Sequence, residues 1–217
     1  MGSILAGRPY RALRAFALRP KVNTLAACAV IICVVGCHSI PPLDTKPLDT
    51  AGMSYDSIQQ LKALNITAPE VAEVATARRS GFSDANCIAV VGIYRGLNQP
   101  FDAGDEIAGL VRAQVAEGTI IELAKLNEVG LASGEFQAMR LAGLSDAIVL
   151  EVARHRAAGK PVLAGASLAN LKNAGVRELT LLELARRGVP DSQATAILMY
   201  RRRGATDAQI ISHFAPL

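Results

Sequence analysis

Hydrophobic residues recur along most of this chain in short windows with helical spacing, and the windows resemble one another. The clearest pair is Leu141–Arg154 (LAGLSDAIVLEVAR) and Asn173–Arg186 (NAGVRELTLLELAR), offset by 32 residues. A third window, Arg112–Lys125 (RAQVAEGTIIELAK), lies 29 residues before the first. An earlier one, Leu64–Ala75 (LNITAPEVAEVA), has the same order of turn, cap and apolar stripe, and weaker echoes begin at Phe82, Val189 and Ala205. Self-similarity at a fixed period of this size marks a repeat architecture. Inside the windows aliphatics fall at i, i+3 and i+4: Val149, Val152 and Ala153; Leu181, Leu184 and Ala185; Ile120, Leu123 and Ala124. Each window therefore predicts a helix with one buried face.

The unit has a physical grammar. A glycine or another helix-stopper closes one helix, because glycine takes the left-handed position without a Cβ penalty. An aliphatic residue follows and inserts into the core, as Leu144, Val176, Ile66 and Val189 are placed to do. A capping residue comes next (Ser145, Thr67, Thr206), and early acids such as Asp146, Glu117 and Asp207 suit the positive end of the new helix. Thr67 to Glu70 reads as a capping box with proline in the first turn. Glu151, Glu183 and Glu122 stand three residues before Arg154, Arg186 and Lys125, an outward i,i+3 pairing. Val90–Tyr94 is the one strand-like stretch, and its place in the repeat predicts helix. The expectation is an all-α array of short helices in helix-turn-helix repeats of roughly 30 residues, solenoid or compact bundle.

A different pattern fills the beginning of the chain. Five basic residues, Arg8, Arg11, Arg14, Arg19 and Lys21, precede an eleven-residue apolar run from Leu25 to Val35. That length suits a signal-peptide core, which runs to about 7–15 residues, better than a membrane-spanning helix, which needs about 18 or more. Basic residues before the run orient it with the amino terminus inside. The run ends at Val34-Val35-Gly36-Cys37, and a polar, proline-bearing stretch follows. These residues resemble the lipobox of bacterial lipoproteins, with Val34 at a position where the family prefers leucine. The resemblance covers only the leader. It implies a diacylglyceryl thioether on Cys37, cleavage after Gly36 and acylation of the new amino group. The residue after Cys37 is His38 rather than the aspartate that retains such lipoproteins at the inner membrane. In an organism with two membranes the resemblance thus implies the outer one, facing the periplasm.

From His38 to Met53 the near-tandem Pro42-Leu43-Asp44-Thr45 and Pro47-Leu48-Asp49-Thr50 predict a semi-stiff extended spacer. The expected organisation is a signal peptide over 1–36, a lipidated cysteine and proline-rich tether over 37–53, and a helical repeat domain over 54–217.

Charge changes the picture in one respect. The formal net charge of +4 belongs to the leader: 18 of the 23 Lys and Arg side chains lie after Cys37, against all 19 acids. A mature net charge near −1 gives no argument for nucleic acid, which needs basic residues in the folded part. Residues 38–139 carry a net −6 and residues 140–217 a net +5, an asymmetry that can face an anionic partner or the acidic end of another copy. Aromatics are 4% of the chain and tryptophan is absent, so the core must be aliphatic. Of the four cysteines, Cys28 and Cys33 lie in the leader; with Cys37 lipidated, Cys87 remains as a lone thiol in an apolar stretch, a small buried hydrophobe.

The sequence offers no catalytic constellation. The three histidines, His38, His155 and His213, are scattered, and no His-Glu-x-x-His, cysteine pair, phosphate loop or Gly-x-Ser-x-Gly elbow occurs. Asp102, Asp105 and Glu106 lack the spacing of a calcium loop and read as a solvated helix start. Tyr200 to Ile211 looks like a DNA-binding helix-turn-helix, but the same grammar recurs at Leu141–Arg154 with acids in the second helix. The resulting expectation is a non-catalytic scaffold or binding module held at the membrane by its lipid. It has no cofactor beyond that covalent lipid, a protein partner or a second copy as its target, and no nucleic acid. Arg186, Arg187, Arg201, Arg202 and Arg203 are the candidate contact residues. An envelope enzyme and a cytoplasmic DNA-binding protein stand as the alternatives.

Overall fold

The computed structural model describes residues 43–214, and among them are twelve α-helices and no strand. They are α1 (Lys46–Thr50), α2 (Tyr55–Ala63), α3 (Ala68–Arg79), α4 (Asp84–Gly96), α5 (Gly104–Arg112), α6 (Glu117–Lys125), α7 (Val129–Leu141), α8 (Asp146–Ala157), α9 (Gly165–Asn173), α10 (Glu178–Arg186), α11 (Ala194–Arg202) and α12 (Asp207–Phe214). A single 3-10 turn, Asp191–Gln193, leads into α11. The odd-numbered helices pack on one another in order, α1 on α3 through α9 on α11, and the even-numbered ones do the same, α2 on α4 through α10 on α12. Six hairpins are thus stacked side by side in two layers, A (odd) and B (even). An array in which each repeat meets its neighbours through equivalent helices is a solenoid. The spacing of apolar residues had left that choice open.

The turns explain the regularity. Each of α1–α11 is followed by one residue at positive φ: glycine in seven cases, and Asn65, Asn98, Gln114 and Asn127 in the others. Gly143 shows the device: its φ is +76°, its N–H reaches the Arg140 carbonyl at 2.8 Å, and the next N–H, that of Leu144, reaches Met139 at 3.0 Å. The carbonyls left over at a helix end are satisfied in this way. At every A-to-B turn, and at two of the five B-to-A turns, the residue after the positive-φ position plugs the core. Met53, Ile66, Phe82, Val115, Leu144, Val176 and Val189 are all buried there. The nine window aliphatics named above are fully buried as well. The core is one continuous cluster running between the layers. In layer A the helices come close enough that a Cβ on Gly104 would run into the Glu73 carbonyl of the neighbouring helix.

The structure departs from the sequence reading at three points. Lys46–Met53 is not extended spacer. Pro47 sits in the first turn of α1, where its missing N–H costs nothing, Leu48 is fully buried, and α1 packs on α3. The array therefore begins inside the expected tether. The windows at Leu64 and Val189 belong to turns from layer B to layer A, whereas those at Arg112, Leu141 and Asn173 run from A to B. Two kinds of junction share one sequence pattern. Finally, Glu122 and Glu151 pair with Lys125 (2.7 Å) and Arg154 (3.3 Å), but Glu183 pairs with Arg187 one residue further on, at 2.6 Å.

Candidate binding surface

Most of the polar chemistry in the array joins one repeat to the next. The first residue of each B helix from α4 onward is acidic: Asp84, Glu117, Asp146, Glu178 and Asp207. Four of these carboxylates accept the backbone N–H that caps the preceding B helix. Ser54 donates to Asp84 at 2.9 Å, Ser83 to Glu117 at 3.2 Å, Ala116 to Asp146 at 2.9 Å and Ser145 to Glu178 at 3.0 Å. The fifth, buried Asp207, meets the side chains of Arg177 and Arg201. Each acid also lies at the positive end of its own helix. Burial alone would raise the carboxyls of Asp84 and Glu117; the N–H and hydroxyl donors of Ser54, Ser57 and Ser83, with Asn86 on Glu117 and the charge of Arg78, outweigh it and lower both pKa values. Glu178 is lowered chiefly by Ser145, against burial and with help from Lys172.

The ends of this ladder follow the same logic. Among the described residues no B helix precedes α2, and its first residue is Tyr55, 73% exposed, not an acid. No B helix follows α12 among the described residues, and there the Thr206 N–H is taken by the chain's own Gln209 carboxamide at 2.8 Å.

A row of cations reinforces the ladder. Three residues before the positive-φ residue in layer A stand Arg78, Arg140, Lys172 and Arg201. Each reaches the carbonyl of the previous A-to-B turn: Gly52 (3.2 Å), Gln114 (3.0 Å), Gly143 and Gly175 (2.7 Å) respectively. Each also pairs with the acid that opens the next B helix. At the opposite edge of the array, Glu70 is 1% exposed and gathers the Thr67 N–H (2.7 Å), the Phe101 N–H (2.8 Å) and Arg95 (2.6 Å). Burial pushes its carboxyl up, and Arg95, Phe101 and Thr67 together hold it down at about 2. His155 places its two ring nitrogens against the carbonyls of Pro161 and Arg186, each at 3.2 Å.

One position later in layer A the situation reverses. Two residues before the positive-φ residue stand Arg79, Arg112, Leu141, Asn173 and Arg202, on α3, α5, α7, α9 and α11, and all five are exposed. Among the described residues Arg79, Arg112, Asn173 and Arg202 have no side-chain hydrogen bond or ion pair. Two shallow cavities open along this row at equivalent positions of the repeat. One, of about 420 Å³, is lined by Thr76, Arg79, Ser80, Ala108 and Arg112. The other, of about 460 Å³, is lined by Asn170, Asn173, Ala174, Leu198 and Arg202.

The five arginines read from the sequence as one contact patch do not form one. Arg201 is engaged in the repeat-to-repeat clamp, and Arg187 is paired with Glu183. Arg186 is exposed at the end of α10, on the B-to-A edge, while Arg202 and Arg203 are exposed at the end of α11, on the A-to-B edge. A nine-residue helix, about 13 Å long, separates the two groups. Arg79, Arg112, Asn170 and Asn173 were not singled out from the sequence. Their signal was available only as a register: two residues before the positive-φ residue for Arg79, Arg112 and Asn173, and five before it for Asn170.

Val34, Val35, Gly36 and Cys37 lie outside the described residues. Asp102 and Asp105 are exposed at the start of α5, and among the described residues no group of three His, Cys, Asp or Glu side chains could hold a metal ion. Cys87 is buried, and burial pushes its thiol up to about 12. No helix among the described residues is long and apolar enough to cross a membrane. Compared with protein families, with curated proteins and with solved structures, the chain finds no match in any of the three.

Proposed function

We propose that the protein is a lipid-anchored, non-catalytic binding module of the cell envelope. Acyl chains on Cys37 hold it at the membrane, and the helical array presents a face to another macromolecule. The observation that carries this reading is the Val34-Val35-Gly36-Cys37 sequence closing an eleven-residue apolar run behind five basic residues. Each buried CH2 of a lipid contributes about 0.8 kcal/mol, so two or more acyl chains make a lasting anchor where one is marginal. His38 after the cysteine favours the outer membrane in a cell that has two. The array supports a binding role from its own side. Its acids and clamp cations join repeats, which leaves the exposed row on layer A with polar groups that no other part of the array engages. Solenoids of this kind bind through such extended faces.

Cell fractionation of the wild type and of Cys37→Ser, with mass spectrometry of the mature amino terminus, tests the anchor. The expected result is a membrane-bound wild type carrying acyl mass on Cys37 and a variant released from the membrane. A wild type found in the cytosol with the leader attached would overturn the reading and favour the DNA-binding alternative.

A further inference from the structure

We propose that the row Arg79, Arg112, Leu141, Asn173 and Arg202 receives an extended acidic segment of a partner polypeptide. The proposal rests on the binding-module reading above and adds the chemistry of the partner. Its first support is a contrast within layer A. The cations three residues before the positive-φ residue each have a carbonyl and a carboxylate, whereas those two residues before it have neither among the described residues. Arg79 and Arg112 share one cavity without a carboxylate, in the half of the chain whose net charge is −6. Two guanidinium groups facing one hollow repel each other until an anion enters between them. The free Thr76 hydroxyl lines the same hollow.

The second cavity decides between anions. Asn170 and Asn173 line it beside Arg202, and neither carboxamide has a partner among the described residues. A carboxamide offers a donor and an acceptor, which matches a peptide group; a phosphate ester only accepts. Leu198 in the same cavity and Leu141 between the two, 78% exposed, favour an apolar side chain in the middle of the segment. From α3 to α11 the row crosses four helix spacings of roughly 8–10 Å, a span that an extended chain covers in about eleven residues.

The test uses the full-length chain in detergent and a fluorescein-labelled peptide of about twelve residues, glutamates flanking two central leucines. Fluorescence anisotropy is expected to show binding that weakens with salt. Arg79→Gln with Arg112→Gln should weaken it about tenfold, and Asn170→Ala with Asn173→Ala severalfold. Arg154→Gln, on layer B, should leave it unchanged, and circular dichroism checks that every variant is folded. Equal binding by all variants would overturn the proposal. So would inorganic polyphosphate competing fully while the asparagine variants bind normally, which would make the row a general anion surface. Concentration-dependent self-association abolished by the arginine pair would also overturn it, by making the occupant a second copy. None of these outcomes touches fractionation of Cys37→Ser, so the anchor and the groove fail separately.

Discussion

The two edges of the array solve one problem in opposite styles. At the A-to-B edge every turn has the same length and nearly the same chemistry: Gly81-Phe82-Ser83-Asp84, Gly143-Leu144-Ser145-Asp146 and Gly204-Ala205-Thr206-Asp207 are three of the six. At the B-to-A edge five residues separate Asn98 from Gly104 and Gly159 from Gly165, yet only one separates Asn127 from Val129. Glu73 and Glu135 take the glycines that open the next A helix, Gly104 and Gly165, at equivalent positions, but the other donors go to different places. Glu70 collects Phe101 and Asp191 takes Ala164. A load shared by equivalent rungs tolerates the loss of one. A load gathered on one buried carboxylate does not.

Removing that carboxylate is the strongest way to test the difference. Glu70→Gln leaves Arg95 with only the backbone carbonyls of Leu64, Asn65 and Gln99 and takes an ionised acceptor from two backbone N–H groups, and it should destabilise by about 3 kcal/mol, read by denaturant unfolding. The pH dependence has a defined sign. With a folded pKa of about 2 against an ordinary 4.5, Glu70 contributes stability that is fully present above pH 4.5 and is lost as pH falls toward 2. The lowered pKa values of Asp84, Glu117 and Glu178 act in the same direction. Melting temperature should therefore drop between pH 5 and 2 in the wild type, and less steeply in Glu70→Gln. Parallel curves would show that the hub is not Glu70.

A single rung should matter less. Asp146→Asn weakens the acceptor for Ala116 and Thr119 and removes the charge opposite Arg140. A cost of about 2 kcal/mol is expected. A loss larger than that of Glu70→Gln would reverse the ranking of the two edges. Two neighbouring cations on α11 differ in the same way. Arg201→Met breaks the contacts to Gly175 and Ala205 and should cost about 1 kcal/mol in thermal melts, while Arg202→Met stays within about 0.5 kcal/mol. Equal effects would show that the clamp row and the free row are not distinct. The smallest change tests the turn itself. Gln114 holds φ at +60° where seven other turns have glycine, so Gln114→Gly should raise stability by about 0.5–1 kcal/mol.

The repeat was visible in the amino-acid pattern because the A-to-B edge repeats its chemistry. A helix stop, a core plug and, from α4 onward, an opening acid recur at that edge, and Leu144, Val176 and Asp146 sit where their positions suggested, whereas Ser145 makes no side-chain cap bond and donates to Glu178 instead. Less of the surface was visible. Arg201 and Arg202 are neighbours with the same side chain, and nothing in their local sequence says that one closes the array and the other faces solvent. The tether was overread for a similar reason. Proline, aspartate and threonine in Thr45–Thr50 suit a spacer and a helix start equally well, and burial of Leu48 against the array decides for the helix.

The helical character of the folded part, the points where its helices stop and the burial of its stripe aliphatics were all legible in the amino-acid order, since those properties depend on residues a few positions apart. Tertiary structure alone decided that hairpins stack as a two-layer solenoid, that the opening acids bond to the repeat before their own, and which arginines remain exposed. Those outcomes depend on pairs of groups about 30 residues apart, such as Ala116 with Asp146 and Gly175 with Arg201. Local periodicity holds no information about such pairs until the helices are packed.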